Sequence, residues 1–263
     1  MAGKITIALV VPTYNEAPFL RRCLESIKNQ IVKFDEVIIV DDGSTDGSGE
    51  ILEEYRGRFT VLYSVNRGVS HARNAGIQQA TSQYITFLDA DDELMPDACA
   101  IMHRAIEKFP CADAIQFNHL RHYAALKKTV RKYTNISQWF DISDLGRINI
   151  WFGVWNKVYK AKSLPWFDEG INYGEDGLIN LEMLADGKRF VCYEAETVVH
   201  HFENPCSLTH IKSLYDVDKQ EQAYRGLLAK HIDDKWVVVR SIFDAIEELH
   251  ASESYKRLGW KLK

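Results

Sequence analysis

Residues 36–50 read "EVIIVDDGSTDGSGE", and the fold turns on what its carboxylates stand at the end of. Counted from Asp42, the residues Asp42, Ser44, Asp46, Gly47 and Glu53 fall on the spacing of an EF-hand calcium loop. A plain surface turn would use the same residue types. The flank decides between them. An EF-hand loop follows a helix, whereas "VIIV" (37–40) is four β-branched residues, the composition of a buried strand. The loop therefore stands at the carboxyl end of a strand.

Outward from there, two periods alternate. "ITIALVV" (5–11) reads as a strand, and Phe19, Leu20, Cys23, Leu24 and Ile27 then share one helical face. Ile51, Leu52 and Tyr55 at helical spacing in "GEILEEYRG" give a helix after 36–40; "VLYSV" (61–65), "VSHARNAGIQQA" (69–80) and "YITFLD" (84–89) continue strand, helix, strand. Continuous apolar strands separated by helices imply βαβ units and a parallel sheet covered on both faces. In such sheets ligands bind beyond the carboxyl ends of the strands. "PTYNE", "DDGSTDGS" and "DADDE" all occupy such ends, so three polar clusters converge on one crevice.

After residue 93 the pattern changes. Residues 96–109 read as a helix, 112–118 as a strand, 174–187 as a helix with Leu178, Leu181 and Leu184 inward, and 189–202 as two short strands. Residues 151–160 are aromatic and partly alternating, and the chain beyond "SLTH" reads as mostly helical. The expected organisation is a first half (1–93), a second half (94–210) and a helical extension (211–263).

The 263 residues carry 32 Lys and Arg against 37 Asp and Glu, a net charge of -5, which argues against a nucleic-acid partner. The five cysteines, Cys23, Cys99, Cys111, Cys192 and Cys206, are scattered and never spaced Cys-x-x-Cys. A disulfide framework or zinc site is not expected, and a reducing cytoplasm is the expected home. No apolar run reaches the ~18 residues of a membrane span.

Taken in order, "VVPTYNE", "VDDGSTDGS", "NRGVSHARNAG", "FLDADDE", "WNKVYK", "YGEDGLIN" and "NPCSLTH" resemble the bacterial family 2 glycosyltransferases of the GT-A fold. That fold is α/β: a Rossmann-like, mostly parallel sheet flanked by helices, here with a helical C-terminal extension. The resemblance implies an inverting, metal-dependent transferase acting on a nucleoside-diphosphate sugar, with 1–93 as its nucleotide-sugar-binding half and 94–210 as its acceptor-binding and catalytic half. Asp89-Ala90-Asp91 matches the family's Asp-x-Asp motif, with Asp91 as ligand to Mn²⁺ or Mg²⁺ and Asp89 near the ribose. A divalent cation there stabilises charge on the departing diphosphate. Asp42 matches the aspartate that binds the nucleobase, and a uracil N–H suits a carboxylate, which favours a UDP-sugar. The loop Pro12–Glu16, with Tyr14, forms the other wall, and Arg73 faces base or phosphates. Asp41 reads equally as a loop cap, Gly68 and Gly76 as backbone-geometry residues. Asp176 matches the general base, with Glu175 as its helper. Both also suit the first turn of a helix.

His201 is a candidate further metal ligand. Successive strand residues point to opposite faces, so His200 and His201 cannot both serve. The family's aromatic-arginine pair is here His-Phe, which puts one phosphate contact in doubt. Trp151, Phe152, Trp155, Tyr159 and Trp166 suit either an acceptor sugar or the core. The expected acceptor is a glycan or lipid-linked saccharide of bacterial surface polysaccharide synthesis. Two alternatives stay open: a sugar nucleotidyltransferase, for which "PTYNEAPF" lacks the Gly-rich basic loop, and a non-catalytic binding module. The terminal "YKRLGWKLK" reads as a solvated tail, or as a weak peripheral contact with an anionic inner membrane leaflet.

Overall fold

The loop at residue 41 does follow a strand. The computed structural model describes residues 4–123, 128–132, 138–140, 153–171 and 174–202, with residues 222, 223 and 226 beyond them. Strands β1 (Ile7–Thr13), β2 (Glu36–Asp41), β3 (Thr60–Tyr63) and β4 (Tyr84–Phe87) alternate with helices α1 (Ala17–Lys28), α2 (Ser48–Glu53) and α3 (Val69–Gln79). β1 pairs in parallel with β2 on one edge and β4 on the other, and β2 pairs in parallel with β3. The strand order 3-2-1-4 reverses direction at β1, so a crevice opens above its carboxyl end.

Alternation along β1 explains the two layers. Ile7, Leu9 and Val11 face a core shared with α1 and with α4 (Ala98–Lys108), while Ala8 and Val10 face the other side, under α5 (Glu175–Ala185). Helix α1 buries Leu20, Cys23, Leu24 and Ile27, as its spacing predicts, each side chain contributing ~1.5–3 kcal/mol. Helix α3 lies close on β1. A Cβ at Gly76 would stand 2.3 Å from Val10 Cγ1, so that position needs glycine.

Beyond β4 the sheet is mixed. β5 (Glu93–Leu94), β6 (Ala114–Tyr123), β7 (Lys128–Lys132), β8 (Gln138–Phe140), β9 (Lys157–Lys160) and β10 (Phe190–Phe202) complete it, in the order β3-β2-β1-β4-β9-β6-β10-β5. β9 enters antiparallel between β4 and β6. Where two short strands were expected over 189–202 there is one: β10 runs beside β6, with register shifts between Tyr193 and Val199. Continuous pairing carries the chain through that irregularity. Leu178 is only half-buried; Ile179, Leu181, Met183 and Leu184 form the inward face of α5. Cys23, Cys99, Cys111 and Cys192 are free thiols. Trp151, Phe152, Cys206, the motif at 204–210 and the tail at 255–263 lie outside the described residues, as does almost all of 211–263.

Candidate active site

The first two loops are stitched together by polar side chains. Asn15, at φ 54°, accepts from Thr45 N–H through Oδ1 (2.8 Å) and donates its own N–H to Ser44 Oγ (2.9 Å). Ala17 N–H donates to Asp46 Oδ2 (3.0 Å) and Glu16 N–H to Ser48 Oγ (3.0 Å). The wall is therefore one body, with Tyr14 exposed on it and Pro12 buried inside β1. Gly43, at φ +80°, lets the turn pass within reach of the 64–66 backbone, where a Cβ would meet Asn66 N at 2.9 Å.

Asp42 holds the next segment in place. Its carboxylate accepts from Ser64 Oγ (2.8 Å), Arg67 N–H (3.1 Å to each oxygen) and Gly68 N–H (2.7 Å). This fixes the entry to α3, whose Gly68 sits at φ 99°. The resemblance aimed Asp42 at a nucleobase; here both its oxygens are engaged by residues 64–68. Asp41 accepts from Ser44 N–H (3.0 Å), the loop-capping role weighed for it.

The acidic loop after β4 gathers like charges. Burial pushes the Glu16 carboxyl up to about 8, and Asp91, Asp89, Asp46 and Asp92 add to it. Such a cluster of oxygens in the crevice suits a hard cation. Among the described residues, no three His, Cys, Asp or Glu side chains are grouped to hold a metal by themselves. A cation completed by phosphate oxygens needs only one or two carboxylates. Arg22 steadies the loop: Nη2 donates to the Asp91 carbonyl, Nε pairs with Glu93 (3.1 Å), and the guanidinium lies 3.7 Å from the Phe202 ring centre. Ala90, expected at the nucleotide, is a buried residue of the core cluster.

Asp92, which the sequence reading did not single out, is fully buried. His201 Nδ1–H donates to its two oxygens (3.1 and 2.9 Å), and Phe202 N–H donates to Oδ1 (2.9 Å). Burial raises Asp92 to about 7 against the pull of His201. Burial works against the charged imidazole too, but the hydrogen bond and charge of Asp92, with the charge of Asp89, together outweigh it and raise His201. A carboxylate on Nδ1 fixes the tautomer and frees Nε2, the arrangement seen behind metal-bound histidines. The "DADD" run was the available signal, since its fourth residue is as acidic as its first.

Arg73 ties the two halves together. It is 3% exposed, with its guanidinium closed on three carboxylates. Nη1 donates to Glu175 Oε1 and Asp176 Oδ1 (both 2.6 Å), and Nη2 to Asp89 Oδ1 (3.1 Å). Burial opposes its charge; Asp176, Glu175 and Asp89 more than offset this and raise it further. Glu175 and Asp176 occupy the first turn of α5 after Gly174, at φ 75°. Burial pushes Asp176 well above the usual carboxylate range; Arg73 pulls it down, and Glu175 and Asp89 push it up. The arginine thus lies between the candidate base and the strand-end aspartate.

Among the aromatics, Trp155 and Tyr159 belong to the core and Trp166 is 60% exposed. Thr13 Oγ1, at the end of β1, is buried without a hydrogen-bond partner.

A switch-point crevice, an acidic loop after β4 and a carboxylate pair on a facing helix define the GT-A architecture. Solved structures share it. Staphylococcus aureus TarS 1–349 in complex with UDP superposes with a TM-score of 0.75 at 19% identity, over 98% of this chain and 76% of that one. The same protein in complex with UDP-GlcNAc gives 0.77 at 18% identity, over 94% and 72%. The chain belongs to glycosyl transferase family 2, whose profile matches residues 8–159. Relatives include glycosyltransferase GlyA of Streptococcus pneumoniae, 32% identical over 92% of this chain, and EpsJ of Bacillus subtilis, 30% identical over 85%. The chain spans 34% of the length of GlyA and 69% of EpsJ. No helix among the described residues is long and apolar enough to cross a membrane.

Proposed function

We propose that the chain transfers a sugar, with inversion, from a nucleoside-diphosphate sugar to a hydroxyl of a glycan or lipid-linked acceptor. The observation that carries this reading is the convergence of Asp176 with Asp89 on Arg73, which puts a shielded carboxylate beside the acidic loop at the switch point. Asp176 takes the acceptor proton as its oxygen attacks the anomeric carbon. Arg73 favours the ionised form that this requires, and Glu175 shares the same guanidinium nitrogen. The stitched loops 13–16 and 42–48 form the nucleotide wall, with Tyr14 exposed for stacking. Asp91, with His201 behind it on Asp92, would hold Mn²⁺ or Mg²⁺. When bound, that ion would neutralise charge on the departing diphosphate. UDP-sugars lead because the TarS structures of the same fold carry UDP and UDP-GlcNAc. A lipid-linked acceptor would bring the enzyme to the cytoplasmic face of the membrane, in the synthesis of a surface polysaccharide.

A thermal-shift panel of UDP-, GDP-, dTDP- and CMP-sugars with and without Mn²⁺ tests the donor, because a native-state ligand raises the melting temperature. Asp176→Asn keeps the shape and removes the base, so kcat should fall roughly 10²–10⁴-fold with donor affinity unchanged. Turnover near the wild-type rate would move the base elsewhere. No shift with any nucleotide sugar would end the transferase reading.

A further inference from the structure

The turn formed by residues 153–156 lies between the two chemical ends of the site. Its Val154 N–H donates to Asp176 Oδ2 (3.3 Å), and its Trp155 ring stacks on His201, with centroids 4.8 Å apart and planes at 6°. The His119 ring also meets Trp155, in an edge-on arrangement with centroids 4.6 Å apart. One turn therefore touches the candidate base and the histidine beside the acidic loop.

What holds that turn is a fully buried lysine. Lys157, the first residue of β9, donates from Nζ to the Gly153 carbonyl (2.6 Å) and to Asn156 Oδ1 (3.1 Å). Asn156 Nδ2 in turn donates to the Phe117 carbonyl (3.0 Å), and Phe117 N–H to the Asn156 carbonyl (2.9 Å). There is no slack at the start of the turn. A Cβ on Gly153 would stand 2.6 Å from Trp155 Nε1 and 2.8 Å from Cε2. Placing an ammonium in a core is costly, and a well-packed apolar side chain of the same volume often serves stability as well or better. Burial lowers Lys157 to about 7 even though Asp176 pulls it the other way. The charge is therefore better explained by what it positions than by stability.

We propose that Lys157 is a positioning residue: by holding the Gly153 carbonyl it sets the turn that aims Val154 N–H at Asp176 and lays Trp155 on His201. The catalytic consequence rests on the reading of Asp176 as base; the mechanical one does not. A misplacement of about 1 Å can cost as much as 10²-fold in rate, so a fixed turn matters to a base that must meet one hydroxyl.

The test uses the full chain with Lys157→Met and, separately, Gly153→Ala, which moves the turn while keeping the lysine. Amide hydrogen exchange at Val154, read by NMR, needs no activity. It should quicken about tenfold or more in each variant relative to the β1 amides. In turnover of a nucleotide sugar, kcat should fall roughly 10–100-fold while the Kd for UDP with Mn²⁺ stays within about threefold. Added to Asp176→Asn, Lys157→Met should cost less than about threefold more, because the two act through one group. Unchanged exchange at Val154 in Lys157→Met overturns the proposal, as do losses that multiply in the double variant. If Lys157→Met does not fold, Gly153→Ala decides: a kcat loss with UDP affinity retained supports positioning, and an unchanged kcat refutes it. A wild type that turns over no nucleotide sugar would defeat the transferase reading, while Val154 exchange still decides the role of Lys157.

Discussion

Arg73→Met removes a group that joins the two halves of the site. The guanidinium makes contacts of 2.6 Å to Glu175, 2.6 Å to Asp176 and 3.1 Å to Asp89, at 3% exposure. Methionine keeps the length of the stem and loses the guanidinium, including its place 5.4 Å from the Phe167 ring centre, so the loss is chiefly electrostatic. Breaking a buried pair by removing one partner costs about 3–5 kcal/mol, because the other charge is left uncompensated. Asp89 is 30% exposed and water screens it, so most of the effect belongs to Glu175 and Asp176. At about 2–4 °C per kcal/mol for a domain of this size, the melting temperature should fall by roughly 10 °C. The deficit has a pH signature. Burial already holds Asp176 high, and without Arg73 its folded-state pKa rises further above the unfolded value. Stability contributed by such a raised group is present at low pH and lost as pH rises through the folded pKa. Urea denaturation at pH 7.5 and at a pH above the folded-state pKa of Asp176 should therefore show the variant's deficit growing as pH rises. A deficit below about 1 kcal/mol at pH 7.5, or one equal at both pH values, would refute the reasoning.

Three further outcomes can be measured directly. Glu16, at about 8 in the folded protein against an ordinary 4.5, should make the chelator-treated protein lose stability as pH rises from 5 to 8; Glu16→Gln should flatten that slope in a melting series. Asp92→Asn should let the His201 pKa fall, seen by imidazole NMR, and weaken Mn²⁺-dependent UDP binding by roughly 10–100-fold in titration calorimetry; unchanged affinity would remove His201 from the cation. Gly76→Ala should cost about 1–3 kcal/mol in urea titration, because its Cβ would overlap Val10.

Much of this protein was legible in its residues. Four β-branched residues before Asp41 excluded a calcium loop and set the strand, and the helical and strand periods up to residue 93 located the crevice by placing three polar loops at strand ends. The ordered motifs named the family, which the profile over residues 8–159 shows. These features are local: a strand's composition and a strand-end loop are written within a few residues of each other. What the tertiary structure decided is which charges meet. Arg73 and Asp176 are 103 positions apart, His201 and Asp92 109, and Ser64 with Arg67 and Gly68 claims Asp42 from more than 20 positions away. No period or spacing reports on those pairings. Whether a guanidinium is open to a phosphate or closed on carboxylates depends on burial, and burial is set by the packing of α3, α5 and β9 on the sheet. The same holds for Lys157, which is polar in sequence and buried in structure because its ammonium finds the Gly153 carbonyl inside the core.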